Sequence, residues 1–420
     1  MVNPFQTVEF VARTSYGRLV AYLAVRSRDL TAAEDALGDA FRAALETWPR
    51  DGVPHKPEAW LLAVARRRLI DEARRARVRA DAAPALWQLA EQAQADSERD
   101  AFPDDRLKLL FICAHPAIAA GARTPLMLQT VLGLDAVRIA GAFLVAPAAM
   151  GQRLVRAKAK IRDAAIAFAV PKPRELPARL DSVMEAIYAA YGTGWEDVAG
   201  TDPRRRGLAA EAIWLSRLLV GLMPEEPEAR GLLALMLHCE ARRGARRNPG
   251  GAYVPLLEQD VTLWSHSMVE EAEQELARAA THRSIGRYQL EAAIQSVHAQ
   301  RAVTGRTDWQ AVALLYEHLV ALTPALGAQV SRAAALAQVS GPAAGLAALE
   351  AVAPELTVTY QPYWAVRAHL LARLDRRVEA QEAYTRAIGL SEDTHVRQFL
   401  VKELGSVSGS AAVLSNHILR

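Results

Sequence analysis

Apolar residues recur along this chain at the three- and four-residue spacing of helices that bury one face. In LTAAEDALGDAFRAALETW, Ala33, Leu37, Phe41, Ala44 and Trp48 fall on one stripe. Thr31 offers an N-cap with Glu34 at the capping-box position, and Pro49 is expected to stop the helix. The outer side of this helix is acidic, through Asp35, Asp39 and Glu46. After the loop PRDGVPHKP comes EAWLLAVARRRLIDEARRARVRA, residues 58–80, led by Trp60. Here Leu62, Ala65, Leu69, Ala73 and Ala76 share a face, while Arg67, Arg68, Arg74 and Arg75 fall opposite. Like charges so spaced repel by about a few tenths of a kcal/mol per pair. The pattern therefore predicts a packed helix whose outer side faces something anionic.

Residues 81–105 hold Asp81, Glu91, Asp96, Glu98, Asp100, Asp104 and Asp105 against Arg99 alone, which reads as an acidic connector. LDAVRIAGAFLVAPAAMGQRLVRAKAKIRDA then has the outline of a helix-turn-helix. Val137, Ala140 and Phe143 pack on one side, LVAP makes the turn, and Pro147 suits the first helical position. In the second helix Met150, Leu154, Ala157 and Ile161 form the inward stripe. Ala148, Ala149, Gln152 and Arg156 lie opposite, with Arg153 and Lys160 at the edge. Lys158, Lys160 and Arg162 make its far end basic, as suits a major-groove reader that also touches phosphate. VPKPRELP at 170–177 interrupts the pattern, and beyond it helix follows helix. In YWAVRAHLLARLDRRVEAQEAYTRAI, Trp364, Leu371, Ala380, Tyr384 and Ala387 match the spacing of the roughly 34-residue tetratricopeptide unit. About four helical pairs are expected there, and the expected fold of the whole is all-α.

Charge sharpens this division. The net charge is +3 over 420 residues. Residues 1–163 carry 24 Lys and Arg against 19 Asp and Glu, and the remainder 26 against 28, so the cationic surface belongs to the N-terminal part. Only Cys113 and Cys239 occur, which predicts no disulfide framework and a reducing, cytoplasmic home. MVNPFQTVEF has no signal-peptide pattern, and the longest clear apolar run, GLLALMLHC at 231–239, is too short to span a membrane.

An acidic amphipathic helix, an arginine helix, an acidic connector and a helix-turn-helix, in that order, resemble a two-domain sigma factor of the extracytoplasmic-function class, within the sigma-70 family of RNA polymerase factors. The resemblance is to the subgroup with a tetratricopeptide-like C-terminal extension. It is carried by AEDALGDAFRAALETWPRDGVP, AWLLAVARRRLID, DDRLKLLFICAHPAI and IAGAFLVAPAAMGQRLVRAKAKIRDA, and downstream by LLALMLHCEARR, LLEQD followed by Trp264, GRYQLEAAIQSVHA and GPAAGLAALEAV. It implies region 2 over residues 1–80, an acidic linker over 81–103, region 4 over 104–170 and a short linker over 171–177. A repeat-type regulatory domain over 178–405 and a tail over 406–420 would follow.

The same resemblance implies partners and roles. Asp35, Asp39, Phe41 and Glu46 would dock on core RNA polymerase, whose clamp helices and flap receive such factors. Trp60, Arg66, Arg67, Arg68, Arg74 and Arg75 would face promoter DNA near the start site, with PRDGVPHKP holding a flipped base. Ala148, Ala149, Gln152, Arg153, Arg156, Lys158 and Lys160 would meet the upstream element. The repeat domain would regulate in cis and offer a surface to a further protein partner. Four positions depart from the family pattern: Gly38 for glutamine, Arg67 for asparagine, Arg138 for glutamate and Gly151 for alanine. These bear on base preference, and an interior glycine such as Gly38 costs about 1 kcal/mol relative to alanine.

Catalysis by the chain itself is not expected. Neither HExxH nor GxSxG occurs, YGTGW at 191–195 lacks the Lys-Ser/Thr of a phosphate loop and reads as a turn, and CAH at 113–115 and HC at 238–239 each supply only two metal ligands. No metal and no cofactor is expected. Glu258 and Asp260 read as a helix cap or an arginine partner. A stand-alone helix-turn-helix regulator with a helical sensing domain is the other reading, but it needs neither the arginine helix nor the acidic connector.

Overall fold

The computed structural model describes residues 3–77, 104–143, 145–196, 207–282 and 284–415. The fold is all-α: among these residues no strand forms, and the extended pairing between Arg247 and Tyr253 is an isolated bridge. Packing divides the chain into two units, Met1–Leu219 and Val220–Arg420.

The first unit opens with three mutually packed helices, α1 (Pro4–Ser27), α2 (Leu30–Asp51) and α3 (Pro57–Arg77). Asn3 caps α1 by accepting the Phe5 N–H at 3.0 Å. Leu19, Val20 and Leu23 of α1, Leu37 and Trp48 of α2, and Leu61 and Ala65 of α3 are buried together with Tyr22. Of the predicted α2 stripe only Phe41 is half-exposed. Two details of α2 differ from the sequence expectation. Its cap is Asp29, which accepts the Ala32 N–H at 3.0 Å, while Thr31 is exposed. The helix also passes through Pro49 to Asp51 and ends where Gly52, at φ 87°, donates its N–H to the Trp48 carbonyl. Asp29→Ala is expected to cost about 1 kcal/mol and Thr31→Ala nearly nothing, measured as shifts in urea midpoint. Equal shifts would reject the reassigned cap.

The unit continues through α4 (Arg106–Cys113), α5 (Ala120–Thr130), α6 (Ala136–Ala142), α7 (Pro147–Asp163), α8 (Pro177–Glu196) and α9 (Leu208–Leu222). Helix α4 packs on α1, and α5 packs on α4, α7 and α8. The α7 stripe is as predicted, with Met150, Leu154, Ala157 and Ile161 all buried. On α6 Ala140 is buried, but Val137 is 64 % exposed rather than packed, because the seven-residue helix has room for little more than one inward turn. YGTGW is not a turn but the last part of α8. Its Gly194 allows α9 to come close: a Cβ there would stand 2.6 Å from the Ala209 nitrogen. Helix α8 is tied down by Arg179, 7 % exposed, which donates to the Phe111 carbonyl at 3.1 Å, and by Glu185, which accepts the Thr124 hydroxyl at 2.8 Å.

The second unit is a run of helices, each packed chiefly on its near neighbours in sequence, the pattern of stacked helical pairs. They are α10 (Pro227–Ala241), α11 (His266–Ala280), α12 (Arg287–Ala299), α13 (Trp309–Leu322), α14 (Leu326–Ser340), α15 (Pro342–Glu350), α16 (Gln361–Arg373), α17 (Arg377–Leu390) and α18 (Thr394–Ser415). LLALMLHC and GRYQLEAAIQSVHA interlock here. The Glu228 carboxylate accepts the Tyr288 and Gln289 N–H groups at 2.9 and 3.0 Å, capping α12 from another helix. Gly231 permits the approach, since a Cβ would lie 2.7 Å from the Gln289 nitrogen. In the α16–α17 pair Leu371, Ala380, Tyr384 and Ala387 are buried. Trp364 donates to the Thr357 carbonyl at 2.9 Å and lies 4.2 Å from the Arg386 guanidinium. Asp260 caps the short turn Val261–Leu263, accepting from the Thr262 N–H and hydroxyl at 2.9 and 2.7 Å. Among the described residues no helix is long and apolar enough to cross a membrane.

Candidate nucleic-acid interface

The first unit presents two cationic surfaces. On α3, Arg67, Arg68 and Arg74 are exposed, as the wheel predicted, whereas the Arg75 side chain lies outside the described residues. Arg66 behaves differently from the expectation. It is half-buried and donates to the hydroxyl of the fully buried Tyr22, with its guanidinium carbon 4.9 Å from the ring centroid. Arg26 covers the same ring at 3.5 Å and is held in turn by Asp105 at 2.8 Å. A buried phenol needs a partner for its hydroxyl, and its π-face attracts guanidinium. Arg66 thus braces α3 on α1 instead of facing outward. Trp60 is half-buried, edge-on to Trp48 at 5.5 Å and 66°.

The acidic side of α2 faces cations of its own chain. Asp39 receives Arg42 at 2.6 Å and stands 3.9 Å from Arg68. Asp35 and Glu46 are exposed, and Phe41 is half-buried beside them. Glu34 turns away from the N-terminus of α2 to accept Lys158 of α7 at 2.6 Å, both side chains being about 15 % exposed. Burial raises the Glu34 carboxyl above its ordinary value, and Lys158 opposes the rise.

The second surface is α7. Pro147 occupies its first turn as expected. Asp135 caps the preceding α6 by accepting the Arg138 N–H at 2.9 Å, and the Arg138 side chain approaches the same carboxylate at 3.5 Å. Ala148, Ala149, Gln152, Arg156 and Lys160 form an exposed face. Two predicted members of that face are engaged elsewhere: Arg153 donates to the Gly121 carbonyl at 3.2 Å, and Lys158 to Glu34. Long side chains at the edge of the inward stripe reach the neighbouring helix, which a wheel drawn for α7 alone does not reveal. Burial pushes the Cys113 thiol up to about 12, which makes it an inert core group. Among the described residues no group of three or more His, Cys, Asp or Glu side chains is placed to hold a metal.

Residues 12–79, spanning most of α1 and all of α2 and α3, match the family model Sigma-70 region 2. Residues 12–79 are a sigma-70 region 2 domain. This domain supports a role for the chain in transcription initiation, with core RNA polymerase and promoter DNA as partners. The chain is also 38 % identical over 405 residues to an uncharacterized protein of Rhizobium meliloti (strain 1021), covering 95 % of this chain and 94 % of that one. The two therefore belong to one family over nearly their whole lengths. Residues 179–280 match a second model, Family of unknown function (DUF6596), which begins inside α8 and ends with α11. No solved structure matches the chain.

The Tyr22–Arg26–Asp105 contact and the Glu34–Lys158 pair were not foreseen. Each joins groups 79 to 124 positions apart, so the signal available was local: a tyrosine flanked by apolar residues in YGRLVAYLAV, and a glutamate on the inner edge of an acidic helix.

Proposed function

We propose that the chain is a sigma factor of the extracytoplasmic-function type, with region 2 in α1–α3, a helix-turn-helix region 4 in α4–α7, and a tetratricopeptide-like extension that regulates it in cis. It performs no catalysis and takes no cofactor; the polymerase does the chemistry. The region 2 match over α1–α3 carries the reading. In it, Asp35, Asp39, Phe41 and Glu46 dock on polymerase. Arg67, Arg68 and Arg74, with Trp60 at the head of their helix, face the opened strand. Ala148, Ala149, Gln152, Arg156 and Lys160 meet the upstream element, joined by Arg153 and Lys158 when these leave their present partners. The exposed arginines of α3 and the exposed face of α7 support these roles.

Adding the purified chain to sigma-free core polymerase on genomic fragments is expected to give discrete transcript starts that share two upstream motifs. Replacing Arg67, Arg68 and Arg74 by alanine should flatten the log–log salt dependence of promoter binding by roughly three units, about one per lost phosphate contact. No starts from a polymerase that a control factor activates, combined with a shift of duplex DNA by the chain alone, would favour a stand-alone regulator.

A further inference from the structure

In the second unit LLEQD and the tryptophan that follows it fold against a pair of arginines. The Gln259 carbonyl accepts the Arg301 guanidinium at 2.9 Å, and the Trp264 ring lies 5.2 Å from the same group. Arg301 opens the short helical turn after α12, and the backbone stays helical through Gln300, so Gln295, His298 and Arg301 recur three positions apart on one face. Gln295 in turn accepts Arg242, at the end of α10, at 2.5 Å. The other bonds of Arg242 run to the His238 carbonyl at 3.3 Å and the Cys239 sulfur at 3.7 Å. Among the described residues neither Arg242 nor Arg301 meets a carboxylate at salt-bridge distance. The carboxylates nearby hold other cations: Glu240 holds Arg243, Glu291 holds Arg287 and Asp393 holds Arg247, at 2.7, 2.7 and 3.0 Å. Polar groups without partners gather around the pair. His298 and Trp264 are each 8 % exposed, and His298 Nδ1 and Trp264 Nε1 are buried with no hydrogen bond among the described residues. Both guanidinium charges act on the His298 ring, each opposing its protonation after burial itself. Burial and then Arg242 likewise pull the Arg301 guanidinium below its ordinary value. Like charges and unpaired donors so placed are costly, and an oxyanion relieves both: it takes forked bonds from guanidinium, accepts from a ring N–H and cancels the repulsion.

We propose that Arg242 and Arg301, with Gln295 and His298 between them, form a binding site for a small molecule that carries an oxyanion, a phosphate or a carboxylate. The site is reachable, since Arg242, Gln295 and Arg301 all keep part of their surface in water, and it is sheltered, since His298 and Trp264 do not. Its residues come from the end of α10, from LLEQD and Trp264, and from α12 with the turn that follows. An anion seated there ties three separate stretches of the second unit together and stabilises that unit by mass action. The proposal goes beyond the sigma reading and does not depend on it, because every residue of the site lies within Val220–Arg420.

The test is isothermal titration of the full chain at low salt, with inorganic phosphate and with succinate as separate probes. Saturable one-to-one uptake is expected. Response to phosphate alone assigns a phosphate ligand, response to succinate alone a carboxylate, and response to both a site that reads the oxyanion they share. Arg301→Gln should weaken uptake by about tenfold or more, since a bond to a charged group is lost. Arg301→Lys, which keeps the charge and loses the fork, should weaken it less. Arg306→Gln, at an exposed arginine of the same segment, should leave it unchanged. In the native chain a saturating probe should slow amide hydrogen exchange over residues 256–264 and 295–301 above all. If circular dichroism shows Arg301→Gln unfolded, this exchange map decides instead. Uptake of neither probe, undiminished uptake by folded Arg301→Gln, or protection gained elsewhere or nowhere overturns the proposal. None of these readouts involves polymerase or promoter DNA, so failure here and failure of the sigma reading are told apart.

Discussion

Replacing Trp48 by alanine is expected to remove about 3–5 kcal/mol from the stability of the first unit, and with it the ability of α1–α3 to present any surface. Trp48 is 1 % exposed at the centre of the three helices, and Trp60 leans edge-on against it. Truncation leaves a void the size of an indole between helices whose backbones are fixed by their neighbours, so the site cannot collapse around it. Trp48→Phe should behave quite differently. The Trp48 N–H is buried without a hydrogen-bond partner among the described residues. Removing a buried, unpaired donor recovers about 1–3 kcal/mol of desolvation and offsets much of the lost ring area. Hydrogen exchange of the α2 amides would separate the two: protection collapsing in the alanine variant and nearly retained in the phenylalanine one. Equal losses would mean that the indole is not the centre of this core.

The second unit should weaken steeply in mild acid. His238, 1 % exposed, and His298, 8 % exposed, are both pulled down to about 4, His238 by burial and then Arg242, His298 by burial and then Arg242 and Arg301. Glu273 stands 3.5 Å from the His238 ring, which would favour its protonation. That carboxylate, however, is 44 % exposed and already accepts the Ser296 hydroxyl at 2.6 Å, so burial prevails. The fold therefore binds both rings neutral. An unfolded chain takes up protons on them from about pH 6.5 downward, and the folded unit does so only near 4. The stability they contribute is present above pH 6.5 and is lost as the pH falls from there toward 4, by about 1.4 kcal/mol per pH unit for each ring. Urea unfolding of the full chain at pH 7, 6 and 5, compared with His238→Gln/His298→Gln, should show a steep slope in the native chain and a shallow one in the variant. Parallel slopes would assign the acid sensitivity to carboxylates instead.

Helical periodicity made the all-α fold and the inward stripe of α7 legible, because four buried positions at regular spacing on one helix are a local property. The exposure of Arg67, Arg68 and Arg74 followed from the same wheel. What was not legible depends on contacts between helices. YGTGW looks like a turn until α9 is set beside it, where Gly194 serves close packing and not reversal. Thr31 and Asp29 are both competent caps, and the choice fell to the residue that ends the Arg28 bend at φ 57°. Arg66, Arg153 and Lys158 each sit at the border of a cationic face. Which way a long side chain turns there is decided by a hydroxyl, a carbonyl or a carboxylate on another helix.

The docking of α8 on α4 and α5 has a practical consequence for dissecting this protein. The breaker-rich segment at 170–177 invites a cut there, to compare a short factor with the full chain. Such a cut would strip the Arg179–Phe111 and Glu185–Thr124 bonds from the body that remains and bare the apolar side of α5. Inactivity of that fragment would then report a damaged scaffold and not a missing regulator. Only a boundary placed beyond residue 219 leaves the first unit whole, so that what is lost on truncation can be assigned to the helical pairs that follow.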